Sequence, residues 1–509
     1  MFRSTNRGSE PNFYTSHMKR LFVFGAAFGL GASAFAAPDA GSMNGMDMGQ
    51  MAMPSPTPAP SKGTAAMPSG GAMDKDGGMA MGTSMGGMMA MRATTDVASS
   101  MARESSGTSW QPDSSPMYMV MKMRGRDQLM FHGSLYPRYT RIGSKRDVSA
   151  SGSGGRSRFD APSMLMAMLA HPLDKRDVPR SQLGLRVMLS TDPFIERGYG
   201  YPLLFQTGES YRGQPLHDRQ HPHDLVAELS ATYSRRIGKA GSAYLYLGYP
   251  GEPALGPPTY IHRTSGIDFP DAPLGHHWED STHITFGVAT LGYNFGRFKV
   301  EGSSFNGREP NENRYSFDPI RLNSYAGRVS WNPTRDLALQ ASYGFIRSPE
   351  AALPGQNQNR TTASLLYNRD LGNDSNLASA LVYGQNAGSG EGITRAYTFE
   401  TALQKRVNTF FVRAEHVEKS GAELVLSAAD QNNIYGINAL SLGYVRDLSR
   451  GKGLDVGLGV QGTLSNGPSS LWPYYGSGPY TGFQIFFRIR PSKMKMDAAS
   501  MKMDGAMGK

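Results

Sequence analysis

Thr481-Gly482-Phe483-Gln484-Ile485-Phe486-Phe487-Arg488-Ile489-Arg490 is the stretch that decides the fold. Phe483, Ile485, Phe487 and Ile489 fall on one face and Gln484, Arg488 and Arg490 on the other, the two-residue period of a strand rather than the 3.6-residue period of a helix. A greasy face backed by an aqueous one needs an apolar solvent. With an export segment at the other end of the chain, lipid is the simplest such solvent, and the expected fold is all-β, a transmembrane antiparallel β-barrel.

The export segment is the apolar run Leu21 to Ala37, preceded by Lys19 and Arg20 and closing on Ala34-Phe35-Ala36, the small residues that signal peptidase requires. Residues 1–36 therefore read as a signal peptide, with Met18 as an alternative start just before the basic pair. Nothing later supplies the roughly 20 apolar residues of a helical span, so strands must do the crossing. Composition agrees: hydrophobic residues are 39% and glycines 61 of 509, a thin supply for large compact cores but enough for a wall that is apolar at every second position. Cysteine is absent, which removes disulfides, thiolate metal sites and thiol nucleophiles. The net charge of +10 is spread through strands and turns with no phosphate loop, zinc-finger spacing or aromatic-basic motif. No nucleic-acid partner is expected. A basic lumen, or contact with anionic lipid, accounts for the charge.

Four segments follow. After the signal peptide, 37–116 is a Met/Gly/Pro-rich arm with too few apolar side chains to offset chain entropy, expected to be disordered. Residues 117–490 form the barrel, and 491–509 a Met/Lys-rich tail. About 16 strands can be placed, with roughly 14 to 18 compatible with the pattern. They centre on 128–141, 160–170, 182–191, 225–235, 241–249, 283–294, 297–306, 321–331, 336–346, 361–369, 376–386, 394–404, 409–418, 434–446, 454–462 and 480–490. Leu454, Val456, Leu458 and Val460 against Asp455, Gly457, Gly459 and Gln461 is one of the clear dyads. Connections alternate short (237–240, 295–296, 332–336, 405–408) and long (192–224, 250–282, 307–320, 347–360, 419–433), the asymmetry of periplasmic turns and outer loops. An even strand count returns both termini to the periplasm of a Gram-negative cell. Tyr233, Tyr249, Trp331, Tyr343 and Tyr444 near strand ends suit interfacial girdles or simply the preference of aromatics for strands.

Fourteen methionines lie between Met43 and Met101, among them Met46, Met48, Met51, Met53, Met79, Met81, Met88, Met89 and Met91. A flexible run of thioethers can wrap a soft cation, Cu(I) or Ag(I), in a compartment without thiols. The plainer reading is a biased low-complexity linker. The Met-Asp-Met-Gly style of arm ahead of a barrel resembles copper resistance protein B, an outer-membrane copper-handling family, and the resemblance implies copper as the ion. Gly482, Ile485 and Phe487 resemble the carboxy-terminal signal read by the outer-membrane assembly machinery, which that resemblance makes a partner alongside outer-membrane lipid.

Seven of the eleven histidines fall between His217 and His283. His217, His221, His223 and Asp224 lie in one long loop; His262, His276, His277 and His283 lie in the next. Pro222 biases His221 towards an extended conformation, so His221 and His223 should point the same way about 7 Å apart, with Asp218 and Asp224 as ligands or tautomer-setting partners. If the two loops converge, they form a nitrogen/oxygen site for Cu(II), Zn or Ni. If they do not, the same residues form a hydrogen-bonded plug. Ser281 beside His283 raises the question of a hydrolase, but no Gly-x-Ser-x-Gly elbow is present, and no enzymatic activity is expected. Lys299 with Glu301, and Arg413 with Glu415, should face a polar lumen. The functional expectation is a barrel that binds or passes transition-metal ions, Cu(I) or Cu(II) foremost; the alternative is a general or small-solute porin with structural histidine loops.

Overall fold

Alternation along each strand gives the wall two chemically different faces, and sixteen such strands close on themselves. The computed structural model describes residues 91–146, 156–238, 241–350, 354–388 and 392–494. The strands are β1 (Asp127–Leu135, resuming as Arg138–Ile142), β2 (Ser157–Asp160 and Ser163–Pro172), β3 (Ser181–Leu189), β4 (Val226–Ile237), β5 (Gly241–Gly248), β6 (Val288–Phe295), β7 (Phe298–Phe305) and β8 (Ser324–Thr334). The second half comprises β9 (Leu337–Ile346), β10 (Gln358–Gly372), β11 (Ser375–Gly388), β12 (Gly392–Lys405), β13 (Asn408–Ser420), β14 (Ile434–Ser449), β15 (Leu454–Asn466) and β16 (Tyr480–Pro491). Each pairs antiparallel with the next, and β16 closes on β1 through Gly482 opposite Ile142, Phe486 opposite Arg138, and Leu135 opposite Ile489. Every strand expected from the alternation is present. β1 is interrupted at Tyr136-Pro137, where proline has no N–H to offer the ladder. Below the interruption a short strand, Met119–Arg124, takes over the edge of β1, with Met119 opposite His132 and Arg124 opposite Asp127.

The faces sort as the opening stretch predicts. In β16, Phe483, Ile485 and Phe487 are 44%, 48% and 43% exposed, while Gln484, Arg488 and Arg490 are buried. Such an outward apolar band belongs in hydrocarbon, and the protein is an outer-membrane β-barrel. Phe295, Phe298 and Trp331 stack across neighbouring strands, with centroids 5.6 and 5.4 Å apart and rings within 13° and 5° of parallel, as an aromatic girdle at the short-turn rim. Tyr249 donates its hydroxyl to the Asp318 carbonyl at 2.7 Å and packs against Phe286 and Phe317.

The lumen differs from expectation. Residues 91–116, assigned by composition to the disordered arm, are ordered inside the barrel. Asp96 accepts from Ser242 and Asn294, Thr108 from Arg328 at 2.8 Å, and Ser114 Oγ donates to the Asn368 carbonyl at 2.7 Å. A segment this poor in apolar residues cannot build a core of its own. The wall offers it hydrogen-bonding partners instead, and satisfied polar contacts replace apolar burial. Residues 1–90, which include the expected signal peptide, and the tail beyond 494 lie outside the described residues.

The loop between β5 and β6 also turns inward and touches much of the wall. Ala254 N–H donates to Ser303, Gly256 accepts from Arg328, Arg263 pairs with Glu400 at 2.6 Å, Asp271 receives Arg413 and Gln461, and Asp268 receives Arg490 at 3.0 Å. Between β3 and β4 the chain forms a hairpin, Tyr201–Tyr211 with Gln214–Gln220, that the alternation did not announce. Cavities of about 30 Å³ and 80 Å³ remain among these side chains.

Candidate functional site

Five histidines from the two loops meet near the outer end of the lumen. The β5–β6 loop makes one helical turn, His276–Glu279, followed by a 3-10 turn, Ser281–His283. Buried Trp278 anchors the first turn by donating Nε1–H to Thr394 at 2.9 Å, and its backbone crosses Gly384, where a Cβ would stand 2.5 Å from the Trp278 carbonyl oxygen. Arg360 and Asn386 both donate to the His277 carbonyl. From the β3–β4 loop, Pro222 keeps the backbone extended, and His221 and His223 reach His277 and His283 respectively.

Ring centroids are 5.1 Å apart for His276–His283, 5.3 Å for His223–His283, 5.4 Å for His276–His277 and 5.7 Å for His221–His277. Nδ1 is engaged in most of them. His223 bonds Asp192 at 2.8 Å, His276 bonds Asp280, His283 bonds the Asp280 carbonyl at 3.1 Å, and His277 lies 3.8 Å from Glu309. Donation from Nδ1 fixes Nε2 as the lone-pair nitrogen. The Nε2 atoms of His223, His276, His277 and His283 are buried and have no hydrogen-bond partner. Burial holds His221 and His283 well below the usual imidazole range and lowers His276, against which Asp280 pulls the other way. Neutral imidazoles with Nδ1 tied back and Nε2 bare, as at His276 and His283, are in the ligating form.

Two imidazoles sharing a tetrahedral ion, with metal–nitrogen bonds of about 2.0 Å, place their ring centroids about 5.2 Å apart. The observed spacings bracket that value. Among the described residues no three His, Asp or Glu side chains already stand ready to hold an ion, so loading would require small rotations of these rings.

Three residues expected here stand elsewhere. His217 bonds Asp218 at 2.7 Å in the hairpin, because the hairpin carries it towards Arg146 and Tyr475. Asp224 pairs with Arg314 at 3.4 Å, and His262 lies against His132, Nδ1 to Nε2 at 3.3 Å. Within the cluster the tautomer-setting carboxylates are Asp192 and Asp280; Asp218 plays that part for His217, outside the cluster, and Asp224 pairs with Arg314. Asp280 is four residues beyond His276 and so was visible in the sequence pattern; Asp192 is 31 residues from His223, with nothing local to connect them. His221 meets the ring of His277 and His223 that of His283. Ser281 Oγ accepts from Arg360 at 2.9 Å. Of the methionines, Met91 is half-buried among other methionines of the lumen, while Met46, Met48, Met51, Met53, Met79, Met81, Met88 and Met89 lie outside the described residues. Lys299, Glu301, Arg413 and Glu415 line the interior as expected, with Lys299 and Glu301 paired at 3.2 Å.

No family model matches the chain, and no curated protein matches it. Among solved structures it is similar to an anion-selective porin from Comamonas acidovorans, at 13% identity over 72% of this chain and 100% of that one, with a TM-score of 0.42. It is similar also to Salmonella typhi OmpF solved with daunomycin, at 10% identity, 73% and 100% coverage and a TM-score of 0.43. A third is a loop L8 deletion mutant of OmpT, an outer-membrane protein of Vibrio cholerae, at 9% identity, 72% and 99% coverage and a TM-score of 0.41.

Proposed function

We propose that this barrel handles transition-metal ions at the outer membrane, holding a divalent ion, Cu(II) or Zn(II), between its two histidine loops, with copper the favoured cargo. The observation that carries the reading is the set of four buried Nε2 atoms without partners, on rings whose other nitrogens face carboxylates or a carbonyl. Buried polar atoms without protein partners stand elsewhere in the lumen too, those of Glu196 and Glu279 among them, but here they are nitrogens on neighbouring rings, and leaving them unoccupied by water or an ion is costly. The methionine-rich arm adds soft-ion capacity through thioether chemistry. The experiment is Zn(II) and Cu(II) titration of the purified full chain in detergent, with His223→Ala/His276→Ala as the variant. The wild type should bind at pH 7.5 and lose affinity below about pH 6 as imidazoles take up protons. An unchanged isotherm in the folded variant refutes the site.

A second reading, a small-solute channel whose histidine loops are structural, is favoured by the size of the wall and its charged lining. It requires residues 91–118 or the β5–β6 loop to withdraw. Increased single-channel conductance in the double-histidine variant, with metal binding untouched, would support it.

A further inference from the structure

The thirteen strands β4 to β16 contain no methionine; between Met188 and Met494 the chain has none. In β1 to β3 and the short strand beside them, by contrast, methionine recurs on the inner face, at Met119, Met121, Met130, Met164, Met166, Met168 and Met188. Strand register places Met119, His132, Met166 and Met188 in one continuous row across four neighbouring strands. The next row is Met121, Met130 and Met168, ending on Arg186. Onto this wall the inward segments lay Met101, Met117 and His262, around a chamber of about 80 Å³. A residue used merely to fill irregular core space would recur around the lumen, where Arg, Glu, Gln and Ser stand instead.

We propose that this chamber is a binding site for one soft monovalent cation, Cu(I) or Ag(I), ligated by thioethers of Met166, Met168 and the overlying Met117 or Met101, with His262 as the nitrogen donor. Met166 and Met168 stand two residues apart on the inner face of one strand, about 7 Å between their Cα atoms, and their side chains close this to the roughly 4.6 Å that separates two sulfurs on opposite sides of an ion at about 2.3 Å each. Thioether side chains turn about three bonds and reach such geometry without moving backbone. The chamber's charges exclude a hard divalent ion. Glu104 is occupied by the Thr94 and Thr95 amides at 2.8 and 2.9 Å and lies 3.6 Å from Arg186, and Arg490 is paired with Asp268. Arg186 and Arg490 add positive charge to the lining, and its two imidazoles, His132 and His262, bond each other, so the chamber lacks the set of imidazoles that would hold Zn(II) or Cu(II), whereas neutral sulfur suits a single positive charge. The location fits delivery: Met91 and Met494, the described ends of both methionine-rich termini, pack against the same cluster, and Met494 N–H donates to the Met117 carbonyl at 2.8 Å.

This site differs from the histidine cluster in its donors, which are thioethers with one imidazole, His262, that pairs with His132. The test uses the full chain with methyl-labelled methionine in detergent, Ag(I) as the probe, and Met166→Leu and Met168→Leu to assign the two resonances, since leucine conserves volume. Both methyls should move at the first equivalents of Ag(I). The double variant should lose one bound Ag(I), or hold it at least tenfold more weakly, with Zn(II) binding unchanged. Methyls of Met166 and Met168 that stay still while others titrate, or an unaltered Ag(I) stoichiometry in the double variant, overturn the proposal. Should the double variant fail to fold, His262→Asn serves in its place, since it removes the nitrogen donor and leaves the wall intact. Conversely, loss of Zn(II) binding in the histidine variant with Ag(I) retained separates the two sites.

Discussion

Glu301 is the point at which the inward N-terminal segment is fastened to the barrel, and its replacement by glutamine has a calculable consequence. Its carboxylate receives Arg328 at 2.9 Å, Lys299 at 3.2 Å and the Tyr244 hydroxyl at 2.6 Å, with all the charged groups at most 1% exposed. Thr108 completes the knot: it donates to Glu301, accepts from Arg328 at 2.8 Å, and its carbonyl accepts from Lys299. Glu301→Gln keeps the shape and removes the charge, leaving two buried cations without their shared partner. Breaking a buried ion pair in this way costs about 3–5 kcal/mol. The strands retain their ladders, so the loss should fall mainly on the segment held by Thr108. At about 1.4 kcal/mol per tenfold, its opening should become about a hundred- to a few-thousand-fold more frequent. Hydrogen exchange in detergent reads this at the amides of Ser105, Ser109 and Gln111, which bond to the carbonyls of Ser109, Ser106 and Arg103 at 3.2, 2.9 and 2.9 Å. Acceleration under threefold at these amides, or equal acceleration throughout β6 to β9, would refute the fastening argument.

Two further outcomes follow from the same packing. A Cβ on Gly184 would stand 2.0 Å from the Thr94 carbonyl, and one on Gly384 would stand 2.5 Å from that of Trp278, so Gly184→Ala should expose residues 91–100 to protease and Gly384→Ala the β5–β6 loop, each leaving heat-modifiable migration on gels intact; cleavage at the same place in both would contradict this. Burial pushes the Glu252 carboxyl up to about 7 from 4.5, with Arg328 opposing and Glu228 and Asp280 reinforcing. Because the folded value is raised, the inward loop has its full stability below about pH 4.5 and loses this contribution as pH rises through about 7. Protease sensitivity of residues 249–260 should therefore increase from pH 5 to 8, and Glu252→Gln should flatten that dependence.

The strands were legible because the signal for each is carried within it. A period of two over ten residues, punctuated by Gly and Asn turns, needs no knowledge of what lies across the lumen, and long strands such as β15 and β16 state both faces outright. The histidine loops were legible in part: their composition marked them, and Asp280 sat at a helical spacing from His276. Asp192 and Glu309 could not be found that way, since each meets its histidine only through the fold.

By itself, then, the sequence determined the class of solvent on each side of the wall, a strand number of about 16 and the alternation of turns and loops, because these depend on residues adjacent in the chain. Only the tertiary structure decided what fills the interior. Residues 91–116 have too little apolar surface to specify any structure alone, and they take one because Ser242, Glu301, Arg328 and Asn368 offer them hydrogen bonds from strands up to 254 residues away. The methionine rows are of the same kind. Met119, His132, Met166 and Met188 are unremarkable as four separate positions, and strand register alone places them side by side.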